Sequence, residues 1–141
     1  MKIFLDTSAF AKRYVAEQGS DKVLELCEEA DCLTVSIICL PELISTLSRL
    51  VREKRITNRE YQRLKRDAAA DLGDADISQI TLEVLTPVVK LLESNPLRAM
   101  DAIHIGCALA VKADVFVSAD IRQLTAAKKA GLKSLDVSQP S

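Results

Sequence analysis

Four acidic residues stand in places where an acid is either poised for chemistry or costly to keep. Asp6 directly follows the apolar run Ile3-Phe4-Leu5, and Asp120 closes Val117-Ser118-Ala119-Asp120 after a second such run. Glu42 lies within Val35-Ser36-Ile37-Ile38-Cys39-Leu40-Pro41-Glu42-Leu43-Ile44, and Asp101 within the apolar segment Ala99 to Ala110. An ionised carboxylate in apolar surroundings is unfavourable by several kcal/mol unless it is paired or bound to a metal. Few cations are close by in sequence; Arg98, three residues before Asp101, could pair with it along a helix. Taken singly, each acid has an ordinary use: Asp6 and Asp120 as helix N-caps, Asp101 as half of that local pair. Ser8 and Ser118 are turn or cap residues by default. Taken together, four gathered acids would repel one another without a counter-charge, and hard divalent cations bound through carboxylate oxygen resolve the repulsion.

Mg²⁺ or Mn²⁺ suits such a donor set. Zn²⁺ does not, because the one histidine, His104, and the scattered Cys27, Cys32, Cys39 and Cys107 offer no nitrogen or sulfur cage. Without a C-x-x-C pair, the cysteines read as reduced core residues. Two hard cations ~3.5–4 Å apart can activate a water and stabilise the leaving oxygen in phosphodiester cleavage. Other chemistries lack their residues: there is no visible Ser-His-Asp triad, no G-x-x-x-x-G-K-[ST] loop and no G-x-G-x-x-G turn.

These acids must be positioned by a framework, and the pattern supplies one. Short apolar runs at Lys2 to Leu5, Leu33 to Val35 and Val115 to Val117 read as strands, with weaker ones at Ile77 to Ile80 and Lys133 to Leu135. Between them lie helical patterns: Val23 to Cys27 ending near Ala30; Leu43, Leu47, Leu50 and Val51; Tyr61, Leu64 and Ala68; and Leu82 to Leu92 with Pro87 as a bend. A further helix is expected to start after Asn95-Pro96 and run to about Ala110, apolar nearly all round and therefore central and buried. A last one follows Asp120 and stops before Gly131. Strands alternating with helices imply a parallel sheet covered on both faces, an α/β fold whose ligands bind outside the carboxyl ends of the strands. Asp6 and Asp120 fall at such ends.

The 141 residues suit one domain, 1–141, closed by a short polar tail from Val137 to Ser141. Hydrophobic residues at 48% are enough for a core, and with aromatics at 4% it must be aliphatic. No apolar stretch approaches the ~20 residues needed to span a bilayer, and Ile3-Phe4-Leu5 is too short for a signal peptide, so the expected location is the cytoplasm, with no membrane partner.

The four segments resemble, in order and over essentially the whole chain, the PIN-domain family, in its compact form found in VapC-type toxins of toxin–antitoxin pairs. The matching residues are Ile3-Phe4-Leu5-Asp6-Thr7-Ser8, Leu40-Pro41-Glu42-Leu43, Arg98-Ala99-Met100-Asp101-Ala102-Ile103-His104 and Val117-Ser118-Ala119-Asp120. The resemblance implies a three-layer α/β/α fold with a central parallel sheet of about five strands, and a Mg²⁺- or Mn²⁺-dependent endoribonuclease leaving a 5′-phosphate and a 3′-hydroxyl. It assigns Asp6, Glu42, Asp101 and Asp120 to the metal-binding and catalytic quartet. Ser118 matches the hydroxyl residue before the fourth acid, and Thr7 and Ser8 are candidates for positioning water or phosphate. His104 is common in its motif and reads as a packed, hydrogen-bonded residue. It also implies a cognate antitoxin and a homodimer. The chain departs from many relatives after Asp120, with Ile121-Arg122-Gln123-Leu124 where they carry Asp or Lys and then Phe. Arg122 is thus either a phosphate contact or an exposed first-turn residue.

A net charge of -1 argues against a nucleic-acid binder held by bulk positive charge, but distribution changes that. Arg49, Arg52, Lys54, Arg55, Arg59, Arg63, Lys65 and Arg66 are opposed only by Glu53 and Glu60, and Thr57 is a good N-cap, so a basic helical hairpin is expected. Arg59 and Arg63 are candidate RNA contacts, with an acidic partner or plain solvation as the other readings. Two bound divalent cations would shift the formal charge to about +3. The competing functions are a catalytically silent PIN fold serving as an RNA- or protein-binding scaffold, a phospho-acceptor receiver-like domain and a haloacid-dehalogenase-like phosphatase. Retention of all four acids argues against the first. The receiver-like reading lacks a second acid near the first strand end, and the dehalogenase-like one has Ser8 where a second Asp is needed.

Overall fold

The computed structural model describes residues 1–139. Residues 140 and 141, which end the expected domain and its polar tail, lie outside the described residues. Five strands form one wholly parallel sheet in the order β3-β2-β1-β4-β5: β1 (Lys2–Leu5), β2 (Cys32–Ser36), β3 (Asp76–Ser78), β4 (Val115–Ser118) and β5 (Ser134–Asp136). The helices are α1 (Thr7–Ala11), α2 (Ser20–Glu29), α3 (Cys39–Arg52), α4 (Asn58–Asp74), α5 (Leu82–Ser94), α6 (Ala99–Ala110) and α7 (Ile121–Lys129).

Alternation along the central strands sorts the helices into two layers. Ile3, Leu5, Val115 and Val117 face one core, completed by residues of α1 to α4 such as Phe10, Val23, Leu43 and Leu64. Phe4 and Phe116 point the other way, stacked on each other with centroids 5.9 Å apart, into a core made by α5, α6 and α7. Buried on both faces, the sheet has the continuous apolar strands that parallel pairing requires. No helix among the described residues is long and apolar enough to cross a membrane.

Several expected boundaries move, each for a local reason. Strand β3 is Asp76–Ser78 instead of Ile77 to Ile80, because its register pairs Thr34 with Asp76 and Ser36 with Ser78. Thr81 then caps α5 through the Val84 N–H, leaving Ile80 outside the sheet. Strand β5 sits one residue later than expected, set by its pairing with β4. Helix α5 continues through Pro87. Asn95-Pro96 does not open α6: the Asn95 side chain donates to the Leu91 carbonyl at 3.0 Å, closing α5 instead. Helix α6 starts at Ala99, where Asp101 accepts the Arg98 N–H at 3.1 Å. The basic hairpin forms as expected, with α4 opened by a capping box between Thr57 and Glu60.

The order of the sheet creates the site. After β1 the chain builds outward through β2 and β3, then crosses to the other side of β1 to form β4 and β5. The switch point therefore lies between the carboxyl ends of β1 and β4, where a crevice must open.

Candidate active site

Asp6 and Asp120 occupy that switch point. Asp6 leaves β1 with an extended backbone and N-caps α1, accepting the Ala9 N–H at 2.9 Å; Asp120 leaves β4 and N-caps α7, accepting the Arg122 N–H at 2.9 Å. Both acids therefore perform the ordinary capping role, and geometry adds the rest. Glu42, in the first turn of α3, and Asp101, in the first turn of α6, point to the same place. All four line one cleft of about 600 Å³, together with Thr7, Ser8 and His104.

Burial falls on Asp6, and not on Asp101 whose helix is expected to be buried nearly all round. Asp101 is not the buried charge on a central helix. The buried residues of α6 begin at Ala102, and Asp101 sits partly exposed in the first turn, where helix N–H groups favour an anion. Its partner at Arg98 is the backbone N–H, and among the described residues no ion pair joins the two side chains. Asp6 is the costly acid, with no exposed surface. Its Oδ1 accepts from Ala9 N and from Ser8 Oγ at 2.7 Å, and its Oδ2 accepts from Ser118 Oγ at 2.6 Å. That fills three of the roughly four lone-pair positions of a carboxylate. Burial pushes the Asp6 pKa up, and the charge of His104 and the hydrogen bonds from Ser118, Ala9 and Ser8 recover only part of that shift.

Glu42 is held differently. Thr7 Oγ1 donates to its Oε1 at 2.6 Å, and His104 Nε2 lies 2.5 Å from the same oxygen. Burial opposes its ionisation, but the His104 and Thr7 hydrogen bonds and the His104 charge outweigh that and hold the carboxyl below its ordinary range. His104 is 1% exposed and meets Phe4 edge-on, so it is packed and hydrogen-bonded as expected. The sequence did not signal that its partner is Glu42.

Ser118 ties the two strand ends together: it donates to Asp6 and accepts the Asp120 N–H at 2.9 Å. Ser8 does the same from α1, accepting the Ala119 N–H at 3.0 Å. Arg122 is exposed, with Nε 3.8 Å from Asp120 Oδ1. Arg59 and Arg63 lie on the exposed face of α4 and do not line the cleft. The cations that line it are instead Arg49 and Arg98, both exposed, and the buried Lys12, which is held by the Gln18 carbonyl at 2.6 Å and by Glu17. Gln123 also lines it; its signal was a polar residue on the otherwise apolar buried face of α7.

The cleft offers neutral and anionic oxygen and one histidine nitrogen already engaged by Glu42, a hard donor set that fits Mg²⁺ or Mn²⁺. Among the described residues no Lys or Arg forms an ion pair with Asp6, Glu42 or Asp101, so His104 beside Glu42 and Arg122 beside Asp120 meet only part of the negative charge. Among those residues, too, no three His, Cys, Asp or Glu side chains converge tightly enough to enclose an ion as they stand. Their oxygens are turned toward hydroxyl and N–H donors. Cys39, beneath the site, is no alternative nucleophile, since burial pushes its thiol up to about 12. Of the four free cysteines, Cys39 and Cys107 are buried, whereas Cys27 and Cys32 are only partly so.

The PIN domain family matches residues 3–129. Ribonuclease VapC45 and Ribonuclease VapC49 of Mycobacterium tuberculosis are each 29% identical over 133 residues, covering 93% of this chain and 92% of theirs. Among solved structures, the sarcin–ricin loop cleaving toxin VapC20 of M. tuberculosis is similar with a TM-score of 0.66 and 18% identity, covering 92% of this chain and 95% of that one. A chain of a toxin–antitoxin complex from Klebsiella pneumoniae is similar with a TM-score of 0.70 and 14% identity, covering 97% and 98%. At those identities the solved structures share the fold.

Proposed function

Because this chain belongs to the PIN-domain family, we propose that its acidic cleft is the active site of a divalent-metal-dependent endoribonuclease, the toxin of a toxin–antitoxin pair. The observation that carries the proposal is the gathering of Asp6, Glu42, Asp101 and Asp120 in one cleft, with Asp6 buried and, among the described residues, no Lys or Arg side chain paired with it. The similarity to VapC ribonucleases and to chains of toxin–antitoxin complexes supports RNA as substrate and an antitoxin as partner. A homodimer is part of the same proposal.

Asp6, Glu42, Asp101 and Asp120 would hold Mg²⁺ or Mn²⁺, which when bound lowers the pKa of water and stabilises charge on phosphate oxygens. The rest is done by the chain itself. Ser8 and Ser118 fix the Asp6 carboxylate from both sides, so one oxygen position is presented in a constant direction. Thr7 and His104 do the same for Glu42 while keeping it ionised. Arg49 and Arg98 at the rim supply positive charge for the phosphates flanking the scissile bond. Arg122 partly neutralises Asp120.

The purified protein is expected to cleave single-stranded or looped RNA with Mg²⁺ or Mn²⁺ and to stop when EDTA is added. Asp101→Ala should abolish cleavage without unfolding the chain, and full metal-dependent activity in that variant would sink the four-acid reading. RNA binding without any cleavage by the wild type would return the silent scaffold. The α4 arginines act at longer range: Arg59→Ala with Arg63→Ala should weaken RNA binding and lower the salt slope by about 1–2. An unchanged slope would remove α4 from the RNA surface.

A further inference from the structure

We propose that Gln123 is a positioning residue that holds the Asp101 carboxylate in the orientation in which it accepts a divalent cation; the inference rests on the metal-site reading given above. Gln123 lies in α7 and is 5% exposed, among the buried apolar residues Leu124, Ala126 and Ala127. Its Nε2 donates to Asp101 Oδ1 at 3.1 Å, reaching from α7 to the first turn of α6. The Arg98 N–H donates to the other oxygen, Oδ2, at 3.1 Å. One donor on each oxygen fixes the plane of the carboxylate and leaves about two of its lone-pair positions open toward the cleft that both residues line.

The orientation of the amide follows from chemistry. An ionised Asp101 only accepts hydrogen bonds, so the nitrogen of the amide must face it and the carbonyl must face away. That carbonyl, Oε1, is buried and has no partner among the described residues. An unpaired buried carbonyl is unfavourable, and a leucine or methionine would fill the same space without it. Packing therefore does not explain a glutamine at this position. The one interaction gained by its polar end is the bond to Asp101, which makes Gln123 to Asp101 what Ser118 is to Asp6. Outer partners that orient a carboxylate ligand in this way typically change metal affinity far more than they change the fold.

The experiment is a calorimetric titration of the full chain with Mn²⁺, without RNA, beside melting curves of the metal-free protein. Gln123→Leu is expected to weaken Mn²⁺ binding by about 10–100-fold, while the metal-free Tm stays level or rises as the unpaired carbonyl is lost. Gln123→Met, unbranched and close in size, gives the same comparison should the leucine variant misfold. Wild-type affinity in both variants, or a loss of affinity seen only alongside a large fall in metal-free Tm, overturns the role. A wild-type chain that binds no Mn²⁺ overturns the metal-site reading and this inference with it. Wild-type binding with unaltered binding in the Gln123 variants overturns this inference alone.

Discussion

Asp6→Asn is expected to abolish cleavage and, in the metal-free protein, to raise the melting temperature. The first effect follows from removing an anionic oxygen at the centre of the acidic cleft. A metal site supplies several kcal/mol of charge stabilisation in the transition state, and at about 1.4 kcal/mol per factor of ten its loss lowers the rate by about 10³-fold or more. The second effect follows from burial. With Asp6 fully enclosed, its pKa is raised in the folded state, principally by desolvation. A carboxyl that protonates more readily when folded stabilises the fold below the ordinary value of 3.8, and that contribution is lost as pH rises through the folded value. At neutral pH the charge works against folding until a cation meets it.

Asparagine removes the charge and keeps most of the contacts. Its carbonyl can still accept from Ala9 N and Ser8 Oγ, and Ser118 Oγ, which already accepts the Asp120 N–H, can accept from its amide on its second lone pair in place of the bond it now donates. The metal-free variant should therefore melt higher at pH 7 and 8, by about 2–4 °C for each kcal/mol relieved. Its Tm should fall less than that of the wild type as pH rises. Added Mn²⁺ should stabilise the wild type by mass action and leave the variant nearly unmoved. A metal-free variant that melts lower than the wild type at neutral pH would show that the buried carboxylate is not a burden, and the case for a missing counter-charge would weaken with it.

Gly106→Ala should destabilise the protein despite sitting in the middle of a helix. Alanine in place of glycine ordinarily gains about 1 kcal/mol in a helix interior. Here a Cβ would stand 2.7 Å from the Val84 carbonyl oxygen and 2.9 Å from Val88 Cγ2, both on α5. A backbone oxygen in a packed helix cannot rotate aside, so α5 and α6 must separate, and overpacking of this kind costs about 1–3 kcal/mol. The packing cost outweighs the propensity gain, and Tm should fall by several degrees, more for Gly106→Val. Cleavage should fall as well, because α6 carries Asp101 and His104 into the cleft. A higher Tm for the alanine variant would mean that α5 and α6 do not approach this closely.

Much of the framework was legible because it is local. Strand β1 ends at Leu5, just before Asp6, and α7 begins after Asp120, where the apolar runs and caps say they should. The weaker edges, β3 and β5, lie one or more residues from where the apolar runs place them, since a short edge strand takes its limits from the register of its neighbour. Asn95-Pro96 reads in sequence as the signal before α6, because a side chain that caps the preceding helix looks the same there as one that opens the next.

The four acids themselves were marked by type and context: Asp6, Glu42, Asp101 and Asp120 each stood at a strand end or among apolar residues, and that alone set the donor chemistry as hard oxygen. Their ranking was not so marked. Asp101 sits in an apolar sequence yet escapes burial, because the first turn of α6 reaches the cleft before the helix enters the core. Asp6 looks like a plain cap in sequence and is the enclosed charge in space. The contacts that decide this join residues far apart in the chain: Ser118 to Asp6 across 112 positions, His104 to Glu42 across 62. Helix and strand periods report only neighbours a few residues away, so sequence could name the acids and the class of cation that suits them, whereas which acid is buried, which is held ionised and which is steered by Gln123 was decided by the crossing of the chain at β1 and β4.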